Sequence, residues 1–261
     1  MSPKYKQYLK KIKRNKRLVL FFQLLIISIF IILWEVSSNL GLINSFIFSK
    51  PSLVYKTLIN LFKNNNLVNH IFITLKEVVI SFILASLIGF IIASLMWFSK
   101  MLAKVIDPYL TVLNSLPKVA LGPLIIIWIG ANNNSIIFMA LMINVFITII
   151  NMYQGFISVD KYYINLLKSF NTSRFKIFTY LIIPANINNI INCLKVNISM
   201  SLIGVIMGEL LVSKEGLGYL IMYGSQVFNI NLVITSIMIL ALISYLMYIV
   251  IIYIEKKIVK N

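Results

Sequence analysis

The sequence predicts an all-α membrane protein: six transmembrane helices, with a cytoplasmic helix-turn-helix between spans four and five. Three observations predict it. Hydrophobic residues make up 60% of the 261 and charged residues 12%, at a mean hydropathy of +0.93. A soluble domain carries roughly 25% charged residues, so water is not the solvent for most of this chain. The apolar residues gather into runs long enough, at about 1.5 Å per residue, to cross a hydrocarbon layer of ~30 Å. The polar remainder is basic, 24 Lys and Arg against 7 Asp and Glu, for a net charge of +17. Among apolar runs, such an excess marks loops that orient helices rather than a nucleic-acid surface.

Residues 1–17 form a basic cytoplasmic tail with Lys4, Lys6, Lys10, Lys11, Lys13, Arg14, Lys16 and Arg17. Residues 18–36 form the first transmembrane helix. That run is too long for a signal-peptide core, and no small-residue cleavage site follows it. Residues 37–69 are an outer segment. There "SKPSLVYKTLINLFKNNN" sets Val54, Leu58, Leu61 and Phe62 at helical spacing, which predicts an interfacial helix from Ser49 or Pro51. Residues 70–254 hold the remaining spans: Val78–Phe98, Val105–Ile129 interrupted by Pro117 and Pro123, Ser135–Met152, Ile187–Val212 and Leu232–Ile254. Residues 255–261 form a second cytoplasmic tail. With six crossings the segments on the side of the termini hold 17 Lys and Arg, and those on the other side hold Lys50, Lys56, Lys63 and Lys214. Basic loops stay inside, which predicts both termini in the cytoplasm.

The stretch 155–184 is too polar for a span. Asp160 can cap a helix whose Tyr163, Leu166, Leu167 and Phe170 share one face. Asn171 suits a left-handed helix end. Thr172 or Ser173 can cap a second short helix bearing Phe175, Phe178 and Ile182, and Pro184 breaks it or begins the fifth span. The predicted helix-turn-helix has an apolar stripe and basic edges (Lys168, Arg174, Lys176). Such a stripe packs on lipid headgroups or enters the groove of a soluble partner.

Within the spans, Ala85, Gly89 and Ala93 make one small-residue stripe, and Ser201, Gly204 and Gly208 another. Both allow close helix approach. Pro117 and Pro123 predict either a tolerated kink or a gate beside a pore, because broken backbone at membrane depth needs protein or water around it. Glu209 is an acid in an apolar run and needs protein, water or a cation, for which Lys214 and Lys118 are candidates; a place along a pathway is the other reading. Lys118 and Lys195 are placed to snorkel. Tyr219 and Tyr223 are outer-interface anchors or contacts for an external protein, and the sequence leaves both open.

With one His (His70) and one Cys (Cys193), no metal site, cofactor or catalytic constellation is expected. There is no Gly-x-x-x-x-Gly-Lys-Ser/Thr loop, so the chain is not expected to be an enzyme. An ion-gradient-driven secondary transporter is the alternative function; it would need intramembrane acids, and Glu209 is the candidate.

"SVDKYYINLLKSFNTSRFKIFTYLIIPANINNIINCLK" resembles the cytoplasmic coupling loop of permease subunits of binding-protein-dependent ABC importers. Asn165, Leu166 and Leu167 stand where that family has Glu-Ala-Ala, Asn171 where it has Gly, and Ile183-Pro184 where it has Leu-Pro. "LPKVALGPLIIIWIG" and "GVIMGELLVSKEGLGYLI" resemble the third and fifth spans of the nitrate/sulfonate/taurine type, and "FSKPSLVYKTL" and "HIFITLKEVVISF" its approach to the second. The resemblance implies a multi-pass protein of a bacterial cell membrane that works as a homodimer. It implies two ATP-binding cassette subunits and an extracellular or periplasmic substrate-binding protein as partners, with no nucleic acid. It further implies that Asp160, Tyr163, Asn165, Leu166, Leu167, Phe170, Asn171, Arg174, Phe178 and Pro184 couple to the ATPase. The implied cargo is a small polar solute such as nitrate, a sulfonate, taurine or a thiamine precursor.

Overall fold

The computed structural model describes residues 3–64 and 67–259; the side chains of Lys4, Lys6, Lys10, Lys11, Lys13 and Lys16, and Lys260, lie outside the described residues. All regular structure among the described residues is helical. In chain order the helices are α1 (Pro3–Asn39), α2 (Ser45–Phe48), α3 (Pro51–Asn64), α4 (Leu67–Phe98), α5 (Lys100–Ser115), α6 (Gly122–Ile129), α7 (Asn133–Ile157), α8 (Lys161–Ser169), α9 (Arg174–Ile177), α10 (Ile183–Ala185), α11 (Ile187–Val212), α12 (Leu217–Gln226) and α13 (Ile230–Val259). A 3-10 turn, Lys118–Leu121, precedes α6, and a π turn, Phe178–Ile182, precedes α10.

Five stretches are long and apolar enough to cross a membrane: Arg17–Asn39, Leu67–Phe98, Asn133–Ile157, Ile187–Val212 and Ile230–Lys257. A sixth crossing exists only if Lys100–Ser115 and Lys118–Ile129 count as one broken span, bent by 85°. The bend follows from the sequence. Pro117 cannot donate to the ladder, and the chain passes through the 3-10 turn before α6 restarts. Pro123 sits in the first turn of α6, where a missing N–H removes no bond. The two prolines thus have different effects: the first ends a helix and the second begins one.

α7 lies at the centre, between α4 and α11. Small residues set the spacing. A Cβ on Gly89 of α4 would sit 2.3 Å from Thr148 Cγ2 of α7; one on Gly204 of α11 would sit 2.5 Å from Ala140 Cα, and one on Gly208 would press on Ile136. Ala85, Ala93 and Ser201 are fully buried in the same seams. At one end of the bundle, Leu61, Val78, Ile136, Leu202, Val205 and Leu217 form the main apolar cluster; at the other, Phe156, Ile177, Phe178 and Ile182 form a second. The first is the loop end, holding residues 213–216, and the second is the elbow end, holding α8 and α9.

α1 stands apart. Its apolar side chains from Leu18 to Leu33 are exposed. It is fastened near its C-terminus, where Ser52 N donates to Glu35 Oε2 (3.0 Å) and Lys50 Nζ donates to Asn39 Oδ1 (2.8 Å).

α4 starts at Leu67, eleven residues before the run that apolar counting marks as the second span. Thr74, Lys76 and Glu77 interrupt that run in the sequence. Thr74 and Glu77 are buried against α11 and the loop that follows it, so the helix continues through them.

Candidate functional site

The elbow is built from local hydrogen bonds. Asp160 accepts from Tyr162 N (2.8 Å) and caps α8. α8 ends on a left-handed Asn171, φ +59. Thr172 N donates to Leu167 O (3.2 Å) and Asn171 N to Lys168 O (2.9 Å), the two bonds of a Schellman ending with Asn in the usual place of Gly. Ser173 Oγ accepts from Lys176 N (3.4 Å) and caps α9. Pro184 can neither donate to nor clear the carbonyl four residues back. The ladder before it widens, and Ile183 N donates to Phe178 O across the π turn. A break at Asn186 follows, and α11 begins at Ile187.

The two faces of the elbow differ. Phe178 is 4% exposed and sits among Phe98 and Trp97 (ring centroids 5.1 and 5.0 Å), Phe156 (5.3 Å) and Phe90 (6.4 Å). Ile164 and Leu167 pack against the same cluster. Arg174 Nη1 donates to Phe98 O (3.2 Å) and ties α9 to the end of α4. Tyr163, Leu166, Phe170 and Phe175 point the other way, with Phe170 at 73% exposed; Asn165 and Pro184 are also exposed. Of the ten residues singled out here, Leu167, Arg174 and Phe178 hold the elbow to the bundle. Leu166 and Phe170 present an exposed apolar surface, with Tyr163 beside them packed edge-on against Tyr162 at 5.5 Å.

A polar seam runs through the bundle middle. Asn144 Nδ2 donates to Asn197 O (3.0 Å) and Ser201 Oγ (2.9 Å), Thr148 Oγ1 donates to Asn197 Oδ1 (2.9 Å), and Asn197 Nδ2 donates to Ser86 Oγ (3.1 Å). The seam stitches α4, α7 and α11 with every polar group paired. Towards the elbow it opens into a hollow of about 380 Å³.

At the loop end Glu209 is 1% exposed. Its partners are not Lys214 or Lys118, a correction to the sequence expectation. Thr74 Oγ1 donates to Glu209 Oε1 (2.6 Å) and Gly218 N donates to Oε2 (2.5 Å), while Leu217 N donates to Thr74 Oγ1 (2.9 Å). Lys214 is exposed on the outside of the loop, and the backbone N–H of Gly218 fills the place beside the carboxylate. Gly216, at φ +103, and Gly218 leave the room: a Cβ on Gly216 would sit 2.4 Å from the Glu209 carboxyl and one on Gly218 2.7 Å from Glu209 Cβ. Gly216 N donates to His70 Nδ1 (2.9 Å), and His70, Tyr219 and Tyr223 stack in a row. Lys118 instead reaches Asn114 Oδ1 (2.9 Å) over the Phe146 ring, and Lys195 pairs with Glu255 (2.8 Å).

Sequence reasoning missed Glu77. It is 2% exposed, lies beside Glu209, and neither carboxyl oxygen has a hydrogen-bond partner. Its signal was an acid three residues after Thr74, on one helical face. The seam was missed too, although Asn144, Thr148 and Asn151 follow helical spacing. Pro117 and Pro123 lie at the bend between α5 and α6, where Lys118 reaches over the Phe146 ring of α7 and Gly122 faces Leu211 of α11.

Residues 85–260 match the family described as binding-protein-dependent transport system inner membrane component. The chain belongs to this family. The permease is 30% identical over 226 residues to a probable ABC transporter permease protein of Haemophilus influenzae, covering 86% of this chain and 91% of the relative. It is 27% identical over 237 residues to the putative aliphatic sulfonates transport permease protein SsuC of Bacillus subtilis (91% and 86%). It is 24% identical over 200 residues to the formylaminopyrimidine transport permease protein ThiX of Halalkalibacterium halodurans (77% and 77%). In fold the permease resembles the MetNI methionine ABC transporter, at TM-score 0.62, 15% identity and coverage of 74% and 94%. It also resembles a bacterial ABC transporter that imports alginate, at 0.67, 15%, 97% and 99%. The permease is thus a multi-pass inner-membrane component of a transport system, and its relatives are transport permeases rather than enzymes.

Proposed function

We propose that this permease forms the translocation pathway of an ABC importer for a small polar solute and passes the motion of a separate ATPase to that pathway through its elbow. The broken span counts as one crossing, giving six. The elbow then lies in the cytoplasm with both termini, on the side that holds most of the basic residues. Two copies pair with two ATP-binding cassette subunits and receive solute from an extracellular or periplasmic binding protein. The sulfonate and formylaminopyrimidine permeases among the relatives favour a sulfonate, taurine or a thiamine precursor as cargo, with nitrate in the same class. Pro117 and Pro123 form a gate beside the pathway. Glu209 stays with the protein, as a clasp for the outer loop.

The observation that carries this reading is the two-faced elbow. A segment that only lay on headgroups would not need a five-ring aromatic anchor on one side and caps at each helix start. A segment that transmits force needs both: a rigid root in the bundle and a free apolar face for the partner's groove. The test is co-purification of the ATPase encoded with the permease. Leu166→Asp with Phe170→Asp alters exposed side chains alone, so the permease should fold, melt normally and lose the ATPase. Undiminished recruitment, here or after deletion of residues 163–176, would refute the reading.

A further inference from the structure

Four surface helix turns meet where the polar seam opens towards the elbow. Asn151, Gln154 and Ser158 of the α7 end, and Asn189, Asn192 and Val196 of α11, recur at three- and four-residue steps on facing sides of one hollow of about 380 Å³. That volume lies within the ~300–1,000 Å³ typical of small-molecule sites. Asn189 Nδ2 donates to Asn151 O (3.2 Å) and closes the floor. The side-chain amides of Asn151, Gln154 and Asn192 bond to no other described residue. No charged side chain lines the hollow; the nearby Lys195 of α11 is engaged by Glu255 at 2.8 Å.

Depth decides what this hollow faces. Asn151 lies six residues before the end of α7 and Asn192 five beyond the start of α11, roughly 9 and 8 Å along the helix axes. The headgroup layer is only about 5–7 Å thick on each side, so these amides stand at its inner edge, where the acyl chains begin. Free amides at that depth are not tolerated against hydrocarbon. They face water, protein or a polar occupant.

Resting on the importer reading above, we propose that this hollow is a solute subsite at the cytoplasmic exit of the pathway. Amides offer donors and acceptors together, so the site takes a small solute rich in oxygen or nitrogen, sulfonate or zwitterion included, without a counter-charge. That suits an exit, where binding must be weak enough to let go. Its place at the root of the elbow puts an occupant between the two helices that the elbow joins.

The test uses the assembled transporter, with its ATPase, in inside-out vesicles. Cys193 is the only cysteine in the sequence, so Asn192→Cys is made in a Cys193→Ser background, with Ile203→Cys, on the exposed side of α11 further into the bundle, as the control. A membrane-impermeant sulfonatoethyl thiol reagent is applied from the cytoplasmic face. The expected result is modification at position 192 at least tenfold faster than at 203, slowed severalfold by millimolar taurine but not by equal sodium chloride. Equal rates at the two positions would overturn the proposal, as would a rate indifferent to taurine. Protection that needs anionic lipid and persists without taurine would assign the hollow to a headgroup and also overturn it. Intact ATPase recruitment in the same vesicles separates failure of this inference from failure of the importer reading.

Discussion

Two connections leave opposite ends of α11, and they are built in opposite ways. At the elbow end, residues 158–186 are held by Phe178, Ile177 and Ile182 in the aromatic cluster, by Arg174 on Phe98 O and by a set of local caps, while Tyr163, Leu166, Phe170, Phe175 and Tyr180 stand in the open. At the loop end, residues 213–218 are drawn inward onto a buried carboxylate, with two glycines shaved to let it in. On the proposed function, the difference teaches how one helix can be fixed at one end and driven at the other. A connection that must hold its shape uses hidden polar bonds in a low-dielectric place, where each is costly to lose. The elbow instead keeps most of its hydrogen bonds local and leaves apolar side chains exposed, the form that the proposed docking to a partner's groove requires.

The comparison can be broken first at Phe178. Phe178→Ala empties a site lined by four rings and should cost about 3–5 kcal/mol, seen as a large fall in melting temperature in detergent. Phe170→Ala, on the exposed face, should leave melting unchanged and weaken ATPase co-purification. Equal effects on melting would remove the distinction between root and face.

Glu209 gives the next largest effect. Glu209→Ala strands Thr74 Oγ1 and Gly218 N in the interior. About 1–3 kcal/mol per unpaired group is expected, read as a lower melting temperature and faster proteolysis of the 213–216 loop. Gly216→Ala should act in the same direction, because its φ and the Glu209 carboxyl both oppose a Cβ. The pair beside it sharpens the point. Glu77 brings two oxygens to Glu209 and finds no donor, whereas Glu77→Gln brings an amide that can donate to Glu209. Its expected outcome is unchanged or raised melting temperature, the reverse of Glu209→Ala. The smallest effect is at Asn171. Asn171→Ala keeps the chain but pays for φ +59 with about 1–2 kcal/mol, whereas Asn171→Gly should be nearly silent; circular dichroism melts of the two variants check the order.

The sequence made the local features legible and hid the long-range ones. Asp160 and Asn171 could be placed at helix ends, and the second cap narrowed to Thr172 or Ser173, because their partners lie within a few residues and spacing marks them. The apolar runs gave the long helices for the same reason. The start of α4 was hidden because Thr74 and Glu77 look like a polar break until Gly218 and Glu209, more than 130 residues away, are brought beside them. The partners of Glu209 were misjudged because a backbone N–H leaves no trace in composition, while lysines stand out. The bend at Pro117 was visible as a break, but its 85° was not: a proline forbids one ladder and does not say where the chain turns next.

α1 brings a last consequence. A rod pinned to the body near one end can lean without disturbing what it is pinned to. When the bilayer thins or thickens, α1 can take up the mismatch by tilt, at fractions of a kcal/mol per ångström. The stitched trio of α4, α7 and α11 need not shear to follow it, and membranes of different thickness can host the same inner machine.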